Sequence, residues 1–440
     1  MKLRYLAPLL AALSAPIFAA TQPQQTLTAQ QSDPNQLGWM QGFPPSSDKL
    51  IRGTDSDYFS FPKLRWSVCH FQQLMPTIEV SRGVKAPLPL TTKLNHGIDD
   101  VRFQPLGQQQ QMTWRQALDA NYTDGLLIMH QGKVVYEYYS GCLHEQGKHA
   151  AMSVTKSIIG LLAEILVADG TLDPDASVAS LLPQLANSAF ADASVRQVMD
   201  MTTSLQYSED YSDPKADVWL YTRAASPLPK PKGYQGPRSY FEYLATVKKD
   251  SSAKHGEAFA YKTINTDALG WIISKASGQS PAELLSQRLW QPLGAEQSAY
   301  FTVDSIGTPY AGGGLVAGLR DMARIGQLML NQGQWRGKQV IPAAAVDSIT
   351  QGGDPEVFAR SPYKDLQGWS YRSMWWHSHN EHQAYAARGV HGQTIYVDPT
   401  ADMVIVRFAS FPTPKNAAID PTSLPAYHAV AQYLMAAAER

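Results

Sequence analysis

Between Ser153 and Gly170 the chain reads SVTKSIIGLLAEILVADG, with apolar residues on almost every side of a helical wheel. A helix of about five turns with that pattern has no face to give to water, so it must run through the middle of a folded body. Gly170 supplies its stop. The chain has the material to surround such a helix: of 440 residues 44% are hydrophobic, 10% aromatic and only 17% charged. A mainly disordered protein, a coiled coil and a disulfide-stapled miniprotein are thereby excluded. Lys and Arg total 37 against 38 Asp and Glu, a formal net charge of -1, so no excess positive field exists to attract nucleic acid or anionic lipid.

The segments around this helix predict a sheet. GLLIMHQGKVVYEYYSG before it reads as a β-hairpin turning at Gln131-Gly132-Lys133. Near the C-terminus, HQAYAARGVHGQTIYVDPTADMVIVRFAS reads as three strands joined by turns at Val390-His391-Gly392 and Pro399-Thr400-Ala401, and PAYHAVAQYLMAAAER follows as an amphipathic helix. Strands at both ends and a mostly helical, loop-rich middle imply an α+β sandwich: one central antiparallel sheet completed by both ends of the chain, flanked by helices, with a mainly helical insertion. Residues 21–113 are irregular but carry Trp39, Phe43, Tyr58, Phe59, Phe61, Trp66 and Phe71, too many aromatics for a linker, and are expected to form an arm lying on the main domain of residues 114–440.

The first twenty residues place Lys2 and Arg4 before an apolar stretch from Leu6 to Phe18 that ends in small residues, with Ile17 and Ala19 at the specificity positions of a cleavage site. That is the layout of a secretory signal peptide, and it predicts a periplasmic or secreted protein. The stretch is short of the ~20 residues that span a bilayer and holds Pro8 and Pro16, so no stable membrane insertion is expected. Cys69 and Cys142 are the only cysteines; an exported protein could pair them, and sequence alone leaves that open.

Chemistry is suggested first by Ser153-Val154-Thr155-Lys156. On a helix this S-x-x-K puts hydroxyl and amine on one face, and a desolvated amine can take the proton that keeps a serine hydroxyl a weak nucleophile. The pattern also starts at Ser46, Ser60, Ser212, Ser251 and Ser361, but only Ser153 opens a long buried helix, where a charged Lys156 would be costly without purpose. A second constellation is FAYKTINTDALGWIISKASG, with Tyr261 just ahead of a helix from about Asn265 to Ala276. A third is AARGVHGQTIYVDP, where Gly389 lets the backbone approach a ligand and the following amide could donate to an oxyanion.

Other chemistries fit less well. No G-x-S-x-G elbow exists anywhere in the chain. His144, Glu145 and His149 miss the H-E-x-x-H spacing by one residue. His377, His379 and His382, beside Trp375 and Trp376, read as a solvated loop, since no carboxylate at helical zinc spacing accompanies them. No metal ligand set and no cofactor are expected.

In this order and with these flanks, the three segments resemble the serine β-lactamase and penicillin-binding-protein superfamily, and within it class C-like esterases and 6-aminohexanoate-dimer hydrolases. VRQVMDMTTSL (Val195 to Leu205), YAGGGLVAGLRDMARIGQLML (Tyr310 to Leu330) and NQGQWRGKQVIP (Asn331 to Pro342) extend the likeness, which runs from Trp114 to the C-terminus. The resemblance implies a β-lactamase/transpeptidase-like fold and a serine hydrolase acting through an acyl-enzyme on a small ester or linear amide. By the same resemblance Ser153 is the nucleophile, Lys156 its proton partner and Tyr261 the phenol serving the leaving group. The backbone amides of Ser153 and Val390 are then the oxyanion donors, and Tyr211, Gly389 and His391 face substrate.

Two departures from the family pattern bear on substrate. Tyr261-Lys262-Thr263 stands where class C enzymes have Y-x-N, and Ala387-Arg388-Gly389 where they have K-T-G; a register through His391-Gly392 is the alternative for the third motif. The groups that hold a β-lactam's amide and carboxylate are thus replaced. A periplasmic β-lactamase or DD-peptidase is the alternative enzyme, and a ligand-binding protein that kept the fold without catalysis is the alternative of another class.

Overall fold

The computed structural model describes residues 26–211 and 213–438; the leader expected over residues 1–20 and the S-x-x-K starting at Ser212 lie outside them. In chain order the strands are β1 (Thr77–Val80), β2 (Thr123–His130), β3 (Lys133–Tyr139), β4 (His149–Ala150), β5 (Ala299–Thr302), β6 (Leu315–Ala317), β7 (Ser370–Arg372), β8 (Trp375–His377), β9 (Tyr385–Gly389), β10 (Gln393–Asp398) and β11 (Met403–Ala409). The principal helices are α1 (Trp114–Ala120), α2 (Val154–Ala168), α3 (Ile264–Ser277), α4 (Leu319–Leu330) and α5 (Asp420–Ala438).

The hairpin β2–β3 turns through Gln131 and Gly132, both at positive φ (51° and 72°), the geometry that matches the twist of two paired strands. β11 then pairs with β2, Met403 opposite His130, so the two ends of the chain close one antiparallel sheet in the order β7-β8-β9-β10-β11-β2-β3. Period two sorts its side chains. Leu127, Met129, Val404 and Val406 face the core that holds α2 and α4, whereas Leu126, Ile128, Met403 and Ile405 pack with Trp114 and Leu118 of α1 and Tyr427, Val430 and Leu434 of α5. The α+β sandwich expected from the sequence is the observed fold.

Every residue of α2 from Val154 to Leu166 is buried. The helix lies so close to the turn after β7 that a methyl group on Gly160 would sit 2.1 Å from the Ser373 carbonyl oxygen. Glu164, one of two charges inside this helix, is matched by Arg196 at 2.6 Å and by the hydroxyls of Ser348 and Ser373. The other charge is Lys156.

Residues ahead of α1 are fastened to this body. Ile51, Leu64, Trp66, Val68, Phe71 and Leu74 share a core with Ala150, Met152, Tyr300 and Val316, and β1 adds to a second antiparallel sheet in the order β1-β5-β6-β4. Arg65, fully buried, pairs with Asp124 at 3.0 Å. Cys69 and Cys142, whose pairing the sequence left open, form a disulfide with their Cα atoms 6.0 Å apart.

Two stretches differ from the sequence reading. His377 and His382 are not in a solvated loop: His377 lies in β8, buried, and His382 is buried with Nδ1 2.7 Å from an Asp398 oxygen. The strands β7 and β8 are three residues each, too short for a period of two to show in the sequence. Helix α5 begins at Asp420, before Pro425, rather than at it. Pro425 has no N–H for the Pro421 carbonyl one turn back, and that carbonyl instead accepts from Leu106 N at 2.8 Å. Among the described residues no helix is long and apolar enough to cross a membrane.

Candidate active site

Just ahead of α2, Met152 holds φ 46°, a left-handed conformation unusual for a bulky residue, and turns the chain sharply into the helix. Ser153 follows at the N-cap position, where a serine ordinarily spends its hydroxyl on a free amide of the first turn. Here it makes no such bond; Ser153 Oγ accepts instead from Lys156 Nζ at 2.9 Å. In two other copies of the tetrapeptide the lysine bonds elsewhere: Lys63 to Asp57 and Lys364 to the Ala359 carbonyl.

Lys156 is buried, and its second partner is the Gly312 carbonyl oxygen. Burial pushes its amine well below the ordinary lysine range, with Glu209 and Asp267 pulling the other way. Asp267, in the first turns of α3, is linked to Lys156 by hydrogen bonds through Gly312. Its oxygens accept from Gly312 N at 3.1 Å and from the Tyr221 hydroxyl, and burial raises its carboxyl above the usual range. With its pKa lowered to about 8, the amine can give up its proton close to neutral pH beside a hydroxyl, which is what a base for serine needs.

Tyr261 completes the cluster. Its phenol lies beside the Ser153 hydroxyl, and Lys156 Nζ lies over its ring, 5.2 Å from the centroid. Trp376, Tyr371 and Tyr363 surround the ring at 5.6, 6.3 and 6.4 Å. Burial raises the phenol well above its ordinary value, against the neighbouring Ser153 hydroxyl that lowers it, so the proton stays on the oxygen at neutral pH.

On the other side of Ser153 runs the end of β9. A methyl group on Gly389 would lie 3.0 Å from Ser153 N and 3.0 Å from the Ala151 carbonyl, so glycine is what allows this backbone to approach the nucleophile. Val390 follows directly, its amide one peptide beyond that contact. Ala387 and Gly389 share one face of the strand by period two, and Arg388 points to the other, where it bonds Asp420 of α5. His391 sits at φ 63° in the turn, buried, with Nδ1 2.6 Å from the Phe411 carbonyl and its ring edge-on to Phe59. Burial pushes its pKa down to about 4, so it is neutral. As a neutral imidazole, His391 does not supply the cation missing from the third motif.

Tyr211 is 42% exposed and donates to a Glu209 oxygen at 2.9 Å. The same carboxylate accepts from both Thr263 N, at 2.6 Å, and Thr263 Oγ1. Glu209 therefore ties Tyr211 to the residue two beyond Tyr261, at the Y-x-N position. Of the acidic residues near Tyr211, Asp217 accepts from Ser208 N and Asp213 from Lys215 N, both serving their own loop. Sequence reading passed over Glu209, Asp267 and Gly312. Glu209 lay in plain view, two residues before Tyr211, and the run Gly312-Gly313-Gly314 marked a close backbone approach without saying to what.

Comparisons with known proteins identify the family and the fold. The Beta-lactamase family model matches residues 115–427. A 6-aminohexanoate-dimer hydrolase of Paenarthrobacter ureafaciens is 34% identical over 355 residues, 80% of this chain and 87% of that protein. A solved structure provisionally assigned as a 6-aminohexanoate-dimer hydrolase, from Bacillus anthracis, superposes with a TM-score of 0.79 at 32% identity, covering 89% of this chain and 99% of that one. A penicillin-binding protein homologue of Caulobacter crescentus shares the fold, with a TM-score of 0.54 at 15% identity over 72% of this chain and 96% of that one. The chain belongs to the beta-lactamase family and is a hydrolase of that fold related to 6-aminohexanoate-dimer hydrolase.

Proposed function

We propose that this protein is an exported serine hydrolase that cleaves esters and linear amides through an acyl-enzyme on Ser153. The observation that carries the reading is the buried amine of Lys156, held toward neutrality and hydrogen-bonded to Ser153 Oγ at 2.9 Å. Lys156 takes the hydroxyl proton as Oγ attacks the carbonyl carbon, and the amides of Ser153 and Val390 hold the oxyanion. Tyr261 passes a proton to the departing alcohol or amine, and water then reverses the sequence to release the acid. The disulfide between Cys69 and Cys142 supports an oxidising compartment, periplasmic or extracellular, in line with the leader layout of residues 1–20.

A β-lactamase or DD-peptidase is the less favoured enzyme. Thr263, at the position of the family's side-chain amide, has both its donors on Glu209, and Ala387 offers no cation for a carboxylate. A binding protein without catalysis would have no use for a desolvated lysine on a serine. The deciding experiment is labelling with a fluorophosphonate probe beside hydrolysis of a short-chain p-nitrophenyl ester. Wild-type protein labels and turns over, and Ser153→Ala does neither while keeping its circular dichroism. Labelling that survives in Ser153→Ala removes the assignment and favours the binding protein.

A further inference from the structure

We infer that the far end of the sheet carries a zinc-binding site built from Glu381, His382 and His428, which clamps the C-terminal helix α5 onto the β8–β9 turn. One ligand atom from each of these residues lies within 4.8 Å of the other two. The three come from two places in the chain: Glu381 and His382 from the turn after β8, His428 from α5. That is why no spacing rule finds them.

The best-placed donor is His382. Its Nδ1 faces Asp398 Oδ2 at 2.7 Å, and Asp398 is fully buried, with Oδ1 accepting from Ala401 N at 2.9 Å. A buried carboxylate on Nδ1 fixes that proton and leaves Nε2 with its lone pair outward, the arrangement in which imidazoles bind metal. Nε2 has no hydrogen-bond partner among the described residues. The ring of His428 stands 5.1 Å away, and His428 Nε2 lies 3.7 Å from Glu381 Oε1.

The turn holding these groups is stiff: Ala384 N donates to Asn380 Oδ1 at 2.9 Å, Ser378 Oγ to the Ala384 carbonyl at 2.7 Å, and Thr400 Oγ1 to the His382 carbonyl at 3.2 Å. Zinc at about 2.0–2.1 Å from each donor needs donors about 3.3 Å apart, against 3.7 Å between Glu381 and His428 and at most 4.8 Å for the other pairs, a closure that takes rotation of the part-exposed His428 ring as well as of the exposed Glu381 side chain. Two imidazoles and one carboxylate suit zinc, and water takes the fourth position.

The site stands apart from the nucleophile. Tyr385 and Gly389 are opposite ends of β9, four residues and roughly 13 Å apart, with the zinc ligands beyond Tyr385 and Ser153 beside Gly389. Its role is therefore to hold α5, and hydrolysis does not depend on it.

The test uses the mature, disulfide-bonded chain, stripped with EDTA and dialysed, so that Cys69 and Cys142 offer no thiolate. Calorimetry with zinc chloride is expected to give one site per chain, with a melting temperature that rises on zinc addition and a cobalt(II) visible spectrum of a nitrogen–oxygen tetrahedral site. His428→Ala and Glu381→Gln, both changes of side chains that reach solvent, should each weaken zinc at least about tenfold and abolish the cobalt spectrum, with ester hydrolysis unchanged. Absence of stoichiometric zinc uptake overturns the proposal. So does zinc uptake that His428→Ala leaves intact, which would place the ion elsewhere.

Discussion

Lys156 and Asp267 are joined through a single residue: the Gly312 carbonyl accepts from Lys156 Nζ, and the Gly312 amide donates to Asp267 Oδ1 at 3.1 Å. The carboxylate thereby acts on the amine through space and through a fixed backbone, without the direct pairing that would lock a proton on the lysine. Burial lowers the amine and raises the acid, while each charge favours the ionised form of the other.

The sign of that coupling gives a pH prediction. Acylation needs the free amine, so kcat/KM rises with pH through the titration of Lys156, below the ordinary lysine range. Asp267 stabilises the ammonium, so Asp267→Asn should move this acidic limb to lower pH; Glu209→Gln should move it in the same direction. A pH–rate profile with the short ester checks both, and a limb that moves upward contradicts the arrangement.

Lys156 bonds the Ser153 hydroxyl and Tyr261 lies beside it, so their losses should not add. Lys156→Ala and Tyr261→Phe are each expected to slow acylation by about 10²–10⁴, and the double variant by little more than the worse single one. Single-turnover kinetics on the three proteins measure this directly. Strict additivity in free energy would argue against a shared relay. EDTA should leave all these rates unchanged.

The oxyanion side is tested by Gly389→Ala. The added methyl would press on Ser153 N and the Ala151 carbonyl at 3.0 Å, moving the donor pair apart. The expected outcome is a fall in kcat toward the ~10²–10³ that one oxyanion donor contributes, with KM little changed. A wild-type kcat would mean that the oxyanion lies elsewhere.

How much of this was legible depended on distance along the chain. Ser153 and Lys156 are three residues apart on a helix whose all-round apolar pattern announces burial, and the strands at both ends alternate visibly, so nucleophile, base and sheet could be read. Asp267 and Gly312 could not: their roles depend on a contact made across 45 residues, and an aspartate in a helix or a glycine in a turn has many ordinary explanations. His382 was read with its sequence neighbours His377 and His379. The fold keeps His377 and His379 together, their rings 6.1 Å apart and His379 on Ser370, and parts only His382 from them, placing it with Asp398.

The disulfide gives a stability prediction. Cys69 and Cys142 lie 73 residues apart in sequence, and Cys69 is one residue beyond the Val68 carbonyl that accepts from Ala150 N. Replacing both cysteines by serine should cost about 2–5 kcal/mol of stability, read as a lower denaturant midpoint. Because Ala150 leads through Ala151 and Met152 to Ser153, kcat should fall as well at temperatures where the wild type is fully active. A midpoint unchanged by the double substitution would mean that the packing around Arg65 and Trp66 suffices alone.

Substrate preference follows from what the site lacks. A β-lactam is held in this family by a side-chain amide two residues beyond the tyrosine and by a cation on the strand; here Thr263 is committed to Glu209, Ala387 is apolar, and Arg388 is turned to Asp420. Charge-assisted contacts to a substrate carboxylate are therefore missing, and the discrimination they supply is missing with them. Tyr211, by contrast, is exposed beside the Glu209 carboxylate, a surface suited to uncharged or amine-bearing chains. Comparing kcat/KM for a short p-nitrophenyl ester, the linear 6-aminohexanoate dimer and a chromogenic cephalosporin is expected to rank the ester first and the cephalosporin last. Saturation with the dimer would make linear amides the natural reaction type, and Glu209→Gln should then raise KM for the dimer more than for the ester. A cephalosporin rate well above both others would instead mean that another group supplies the cation, and would make the β-lactamase or DD-peptidase reading the better one.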